Sequence, residues 1–197
     1  MKKEFEVISK IIQNNKRVLD IGCGDGTLME SLKNNQQNDV RGLEPQKNLV
    51  QICISKGLPV IQGDAEKELS QFPEKSFDYV VLSQTLQAFF SPEEVLNQLL
   101  RIGKQTIVTI PNFGYWKVRL HLLIKGTMPI TKNLPNEWYN TPNLHMCTIQ
   151  DFVNFCKKKN IKIDKSMCLT NEKISEITNK NMSYKNIFSQ LGIFLIE

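Results

Sequence analysis

Apolar positions change their spacing along this chain, and the changes divide it into elements. Residues 4–14 carry Phe5, Ile8, Ile11 and Ile12 at helical intervals, which predicts an amphipathic helix leading in as a lid or flank. From residue 17 onward, short apolar runs alternate with helical stretches. Strands are predicted over 17–21, 39–43, 58–62, 77–82 and 105–110, and helices over 27–34, 46–56, 66–71 and 92–102. Such alternation implies right-handed crossovers and a mostly parallel sheet covered by helices on both faces. The helix over 92–102 carries boundary signals: Ser91 as cap, Pro92 in the first turn, Glu94 completing a capping box, and Gly103 as the stop.

Past that helix, residues 114–125 are expected to form another, with Trp116, Leu120, Leu123 and Ile124 on its apolar side. Thr148 and Asp151 form a box-like start for a helix reaching about residue 159. Residues 161–169 and 193–196 would add strands six and seven, the last antiparallel. The stretch 170–186, polar and rich in Asn and Lys, reads as a mobile excursion. With no repeat and no long linker, the expectation is a single α/β domain over residues 1–197. Residues 1–16 would form an N-terminal flanking helix, and residues 126–147 a polar-aromatic insert.

The chemistry centres on Val18-Leu19-Asp20-Ile21-Gly22-Cys23-Gly24-Asp25-Gly26. A strand ends near an acid, a glycine-rich turn follows, and a helix begins whose free N–H groups face a ligand. Dinucleotide sites favour G-x-G-x-x-G, whereas the spacing here is G-x-G-x-G. Carboxylates at Asp20 and Asp25 would repel a pyrophosphate and suit a ligand carrying an ammonium and a sulfonium. The pattern resembles the first motif of class I S-adenosylmethionine-dependent methyltransferases. That resemblance implies a Rossmann-like, doubly wound, seven-stranded sheet that binds S-adenosylmethionine or S-adenosylhomocysteine on the turn of Asp20, Gly22, Cys23, Gly24 and Gly26.

In an open parallel sheet the ligand lies beyond the carboxyl ends of the strands. Glu44, at the end of the second strand, can accept both ribose hydroxyls or simply face solvent. By resemblance to the superfamily, Asp64 would accept from the adenine amino group and the Ala65 N–H would reach the ring; Asp64 can also cap the helix from Glu66. Ser83 and Gln84 end the fourth strand near where the methionine moiety would lie, and Asp78 reads as structural. Methyl transfer asks little of the protein beyond holding an acceptor in line at roughly 3 Å. A base is needed only if the acceptor must lose a proton.

The later segments are more specific. Leu82-Ser83-Gln84-Thr85-Leu86-Gln87-Ala88 and Ile110-Pro111-Asn112-Phe113-Gly114-Tyr115-Trp116-Lys117-Val118-Arg119 closely resemble the MetW family of methionine-biosynthesis proteins. So do Met128-Pro129-Ile130-Thr131 and Leu134-Pro135-Asn136-Glu137-Trp138-Tyr139-Asn140-Thr141-Pro142-Asn143-Leu144-His145-Met146-Cys147-Thr148. Pro45 departs from a longer polar run, and Tyr115 stands where His is usual. The resemblance implies action with a homoserine O-acyltransferase in methionine synthesis. It leaves open a stand-alone methyltransferase acting on a small molecule. Gln84, Gln87 and Asn112 could hydrogen-bond an amino-acid-like ligand or satisfy loop backbone. Trp138 and Tyr139 suit a partner surface or a lid, and His145 is a candidate base, ligand contact or capping residue. The Asn/Asp-Pro-Pro-Tyr signature of amino-group methylation is missing after the fourth strand.

Composition narrows the classes. The formal charge of +5 comes from scattered lysines, with Lys157-Lys158-Lys159 as the one run, so nucleic acid is not an expected partner. No apolar run reaches bilayer length, and acids interrupt the start, so neither a membrane span nor a signal peptide is expected. Five cysteines without a C-x-x-C pair read as reduced cytoplasmic thiols, with no metal site expected.

Overall fold

Strand β1 (Arg17–Ile21) is buried from its second residue onward, as a strand covered on both faces must be. The computed structural model describes residues 2–131 and 134–197, so Met1 of the flank and residues 132 and 133 of the insert lie outside the described residues. Parallel neighbours β2 (Asp39–Glu44) and β4 (Phe77–Ser83) flank β1, with β3 (Val60–Gln62) beyond β2 and β5 (Gly103–Pro111) beyond β4. Next, β8 (Leu191–Ile196) runs antiparallel against β5, and β6 (Ile163–Thr170) antiparallel against β8. The hairpin strand β7 (Lys173–Glu176) closes that edge, giving the order β3-β2-β1-β4-β5-β8-β6-β7.

Alternate residues of each central strand serve two cores. Val18, Val81, Ile107 and Ile193 pack with α1 (Lys3–Ile11), α2 (Thr27–Gln36) and α3 (Lys47–Ser55). Leu19, Val80, Leu82 and Val108 face α5 (Pro92–Ile102), α7 (Ile149–Lys158) and α8 (Met182–Phe188), beside the short α4 (Ala65–Glu68). Each fully buried Leu, Ile or Val contributes about 1.5–3 kcal/mol, which is why these apolar runs settle the sheet. The α/β, doubly wound class is as expected.

Several local expectations are corrected. The sheet has eight strands among the described residues, because 170–186 is not an excursion: it folds as β7 and α8. The β6–β7 turn places Asn171 at φ 46° and Glu172 at φ 68°, the left-handed pair a two-residue hairpin needs. Its polar side chains belong to an edge strand, which a composition reading takes for disorder. Helix α1 ends at Ile11, short of residue 14.

Ser91 makes no side-chain cap; the Glu66 carboxylate instead accepts from the N–H groups of Ser91 at 2.8 Å and Phe90 at 3.3 Å. Gly103 is extended and opens β5 directly. A Cβ there would lie 2.8 Å from Val80 Cγ2 and 2.9 Å from the Gln105 carbonyl, so close approach, not a left-handed stop, requires glycine. The capping box of Thr148 and Asp151 is present. Helix α6 (Trp116–Lys125) buries only Val118, leaving Leu123 82% exposed with Ile124, Leu120 and Trp116 also open.

Candidate functional site

Between β1 and β4 the winding reverses, since the chain steps outward through β2 and β3 on one side and β5 on the other. The crevice at such a switch point is where this architecture binds ligands. The glycine turn stands there, and its three left-handed glycines have different reasons. At Gly26 (φ 75°) a Cβ would meet Leu58 Cδ1 at 2.6 Å, and at Gly22 (φ 68°) Thr85 Oγ1 at 3.0 Å; both are packing positions. At Gly24 (φ 59°) a Cβ would meet nothing within 4 Å, so this backbone faces open space.

Carboxylates gather around it. Asp20 is 2% exposed and receives no hydrogen bond among the described residues. Burial first, then the nearby Glu44 and Glu4, pushes its pKa up to about 8. Glu44 is buried too, and its two oxygens accept from the N–H groups of Gly24 and Gln46, each at 3.0 Å. A carboxylate so held keeps lone pairs for further donors. Cys23 and Cys53 are buried beside the turn; the Cys53 thiol donates to the Gly24 carbonyl at 3.3 Å, and burial pushes the Cys23 thiol well up. Asp25 accepts from the Thr27 hydroxyl at 2.7 Å and its N–H at 3.1 Å, which fixes the start of α2 and, led by that hydroxyl, lowers its pKa. Asp64 caps α4 through the Glu66 N–H at 3.1 Å, next to buried Ala65.

The crevice floor holds a residue that the sequence reading passed over. Glu4 of α1, 3% exposed, reaches the ends of β4 and β5, where Ser83 Oγ donates to it at 2.9 Å and Gln84 Nε2 and Thr109 Oγ1 also donate. Ser83 and Gln84, expected to meet the methionine moiety, are thus engaged by Glu4. The available signal was an acid at helical spacing from Ile8 and Ile11 on the buried face of the flank.

Other candidates lie elsewhere. Asn112 is a structural hub: Nδ2 donates to the Asn186 and Ser189 carbonyls, each at 2.8 Å, while Oδ1 accepts from Gly114 N–H at 2.9 Å and Ile149 N–H at 3.2 Å. All four bonding sites of its amide are used inside the protein. Gln87 is buried; its side-chain N–H donates to the Gln84 carbonyl at 2.7 Å, its backbone carbonyl accepts from the Leu144 and His145 N–H groups, and its Oε1 has no partner among the described residues. His145 borders a separate cavity of about 180 Å³ with Gln87, Leu86 and Phe152, and no acid of the glycine-turn crevice lines it. Trp138 and Tyr139, packed edge to face at 5.7 Å, are 71% and 72% exposed. Asp78 lies at the opposite sheet end, accepting from Arg17 N–H at 3.0 Å and Lys104 Nζ at 2.8 Å, a structural role. Among the described residues no cluster could hold a metal ion, all five cysteines are free, and no helix is long and apolar enough to cross a membrane.

Residues 2–196 match the family described as methionine biosynthesis protein MetW. The chain belongs to the MetW family. It is similar to a bifunctional methionine biosynthesis protein MetXA/MetW of Rhodopirellula baltica, 34% identical over 175 residues. The match covers 82% of this chain and 27% of that protein, so the chain spans about a quarter of its relative's length. Among solved structures, a Thermotoga maritima protein described as a SAM-dependent methyltransferase and possible histamine N-methyltransferase aligns with TM-score 0.70 at 18% identity, covering 98% of this chain and 86% of that one. A Mesorhizobium loti S-adenosylmethionine-dependent methyltransferase aligns with TM-score 0.69 at 14% identity, covering 98% and 97%. At such identities the likeness is one of fold, and it places this MetW-family chain in the class I methyltransferase architecture.

Proposed function

We propose that this chain binds S-adenosylmethionine at the glycine turn and acts with a homoserine O-acyltransferase in methionine synthesis. The observation that carries the cofactor reading is Asp20, a buried carboxylate without a hydrogen-bond donor, beside a backbone at Gly24 that faces open space. Burial without a donor favours the protonated acid, and a cation reaching it stabilises the ionised form. A ligand with an ammonium and a sulfonium supplies the cation, and its ribose suits the lone pairs that remain on Glu44. Asp64 would accept from an adenine amino group on the oxygen not used for capping. When bound, the cofactor supplies a methyl group already activated on sulfur; the residues of the crevice orient and neutralise it.

Support for the partnership comes from the relative that joins MetXA and MetW in one polypeptide, and from apolar side chains left open on α6 and the insert. Large rigid aromatics such as Trp138 and Tyr139 give much contact area for little lost entropy. Two variants test the two halves. Glu44→Gln keeps the shape and loses the charge, and calorimetry is expected to show S-adenosylhomocysteine bound about tenfold more weakly, the scale of one charge-assisted hydrogen bond. Trp138→Ala is expected to end co-purification with the acyltransferase while keeping that affinity. Loss of cofactor binding with the partner retained would make the insert a lid and favour a stand-alone small-molecule methyltransferase.

A further inference from the structure

A second crevice, of about 680 Å³, opens beside the glycine turn but is walled by other residues. The start of α1 forms one side through Lys2, Lys3 and Glu4; Gln84 after β4, Asn171 and Glu172 of the β6–β7 turn and Gln190 before β8 form the polar remainder, with Pro135, Leu169 and Leu191 as the apolar part. Its volume is within the range of small-molecule sites.

The charges in it are separated and incompletely matched. Glu4 sits at the floor as a buried carboxylate surrounded by two hydroxyls and an amide, with no cation within ion-pair distance among the described residues. Three bonds occupy three of the four lone-pair sites of a carboxylate, so one remains. Glu4 and Glu44 both lie near enough to Asp20 to act on it, so the floor of the crevice is rich in carboxyl groups. At the lip, Lys3 is paired with Glu6 at 2.5 Å, while Lys2 rests 5.3 Å above the Phe5 ring and is paired with no carboxylate among the described residues. Asn171 and Gln190 brace one another, the Asn171 N–H donating to Gln190 Oε1 at 3.0 Å. Gln84 holds a left-handed backbone at φ 50°, whereas the left-handed Asn171 belongs to the β6–β7 hairpin turn.

We propose that this crevice binds a free α-amino acid in its zwitterionic form, the ammonium on Glu4 and the carboxylate at Lys2. An anion would meet Glu4 unpaired, and a simple amine would leave Lys2 unanswered; a zwitterion matches both. The volume left over accommodates the side chain. This goes beyond the cofactor reading: the glycine turn lines none of this crevice, although Glu4 and Gln84 border both.

The same ammonium and carboxylate also occur on the amino-acid tail of S-adenosylmethionine, so the test separates the two sources. The full chain is titrated by calorimetry with L-methionine and L-homoserine, alone and with saturating S-adenosylhomocysteine, and then with N-acetyl-L-methionine and L-methioninamide. At least one free amino acid is expected to bind in both conditions, and blocking either charge is expected to weaken L-methionine or its analogue series at least tenfold. Glu4→Gln is expected to weaken the free amino acid by a similar factor. Should that variant lose α1, judged by circular dichroism, the blocked analogues on the unaltered protein decide alone. No heat with either amino acid, equal binding of the blocked analogues, or displacement by S-adenosylhomocysteine would overturn the proposal, the last by assigning these charges to the cofactor's own tail.

Discussion

Replacing Asn112 by Ala tests whether its amide serves the fold or a ligand. The side chain is buried, and its four hydrogen bonds tie the end of β5 to the first turn of α7 and to the carbonyls of Asn186 and Ser189 at the end of α8. Each such bond contributes about 1 kcal/mol net, and a partner left buried and unpaired costs more. Four bonds therefore set a scale of about 4 kcal/mol, reduced as water or a loop shift satisfies part of the site, so we expect a loss of about 3–4 kcal/mol. For a chain of this length that corresponds to a fall in Tm of roughly 6–16 °C. The loss is a large share of a stability that is typically about 5–15 kcal/mol. Urea and thermal unfolding measure it directly. Asn112→Asp sharpens the test: it is nearly isosteric, yet it cannot donate and sets a carboxylate against two carbonyl oxygens, so it should destabilise at least as much. A loss below about 1 kcal/mol in both variants, accompanied by lost ligand affinity, would refute the structural assignment and restore Asn112 to the binding site.

Two further outcomes follow from the crevice. With a pKa of about 8, Asp20 holds a proton at pH 7 in the free protein that an unfolded carboxylate, near 3.9, has released, so stability should fall as pH rises through that window. Binding a cationic ligand should expel most of that proton at pH 7, so affinity should rise as pH rises toward 8. Calorimetry of S-adenosylhomocysteine in phosphate and in Tris reads the proton count, and identical heats after correction for buffer ionisation would contradict it. The glycines should also separate: Gly26→Ala forces a methyl against Leu58 and should cost about 2–3 kcal/mol of stability. Gly24→Ala should cost only the left-handed strain of about 1–2 kcal/mol while weakening ligand binding more than tenfold. Equal stability losses with unchanged binding would count against Gly24 as the face of the cradle.

Apart from β7 and α8, whose polar residues hide them, the order of strands and helices was legible from local spacing, because burying alternate or every-third-and-fourth apolar residue is decided within a few residues of chain. For the same reason the Thr148–Asp151 box could be read directly: its donors and acceptors are three residues apart. The fate of the polar groups could not. Glu4 meets Ser83, Gln84 and Thr109 across 79, 80 and 105 residues, and Asn112 is satisfied by carbonyls 74 and 77 residues away. Likewise, Glu66 supplanted Ser91 as the cap of α5 because its carboxylate comes from another element, 25 residues earlier. Hydropathy also could not say that α6 would leave its apolar side open, since an amphipathic helix announces a face to be covered but not what covers it. Sequence alone determined seven of the eight strands described, the glycine turn and the acids near it. Only the tertiary structure decided which amides are spent inside the protein, which glycine faces open space and which carboxylates share one crevice, because those outcomes depend on hydrogen-bond partners brought together by the packing of distant elements.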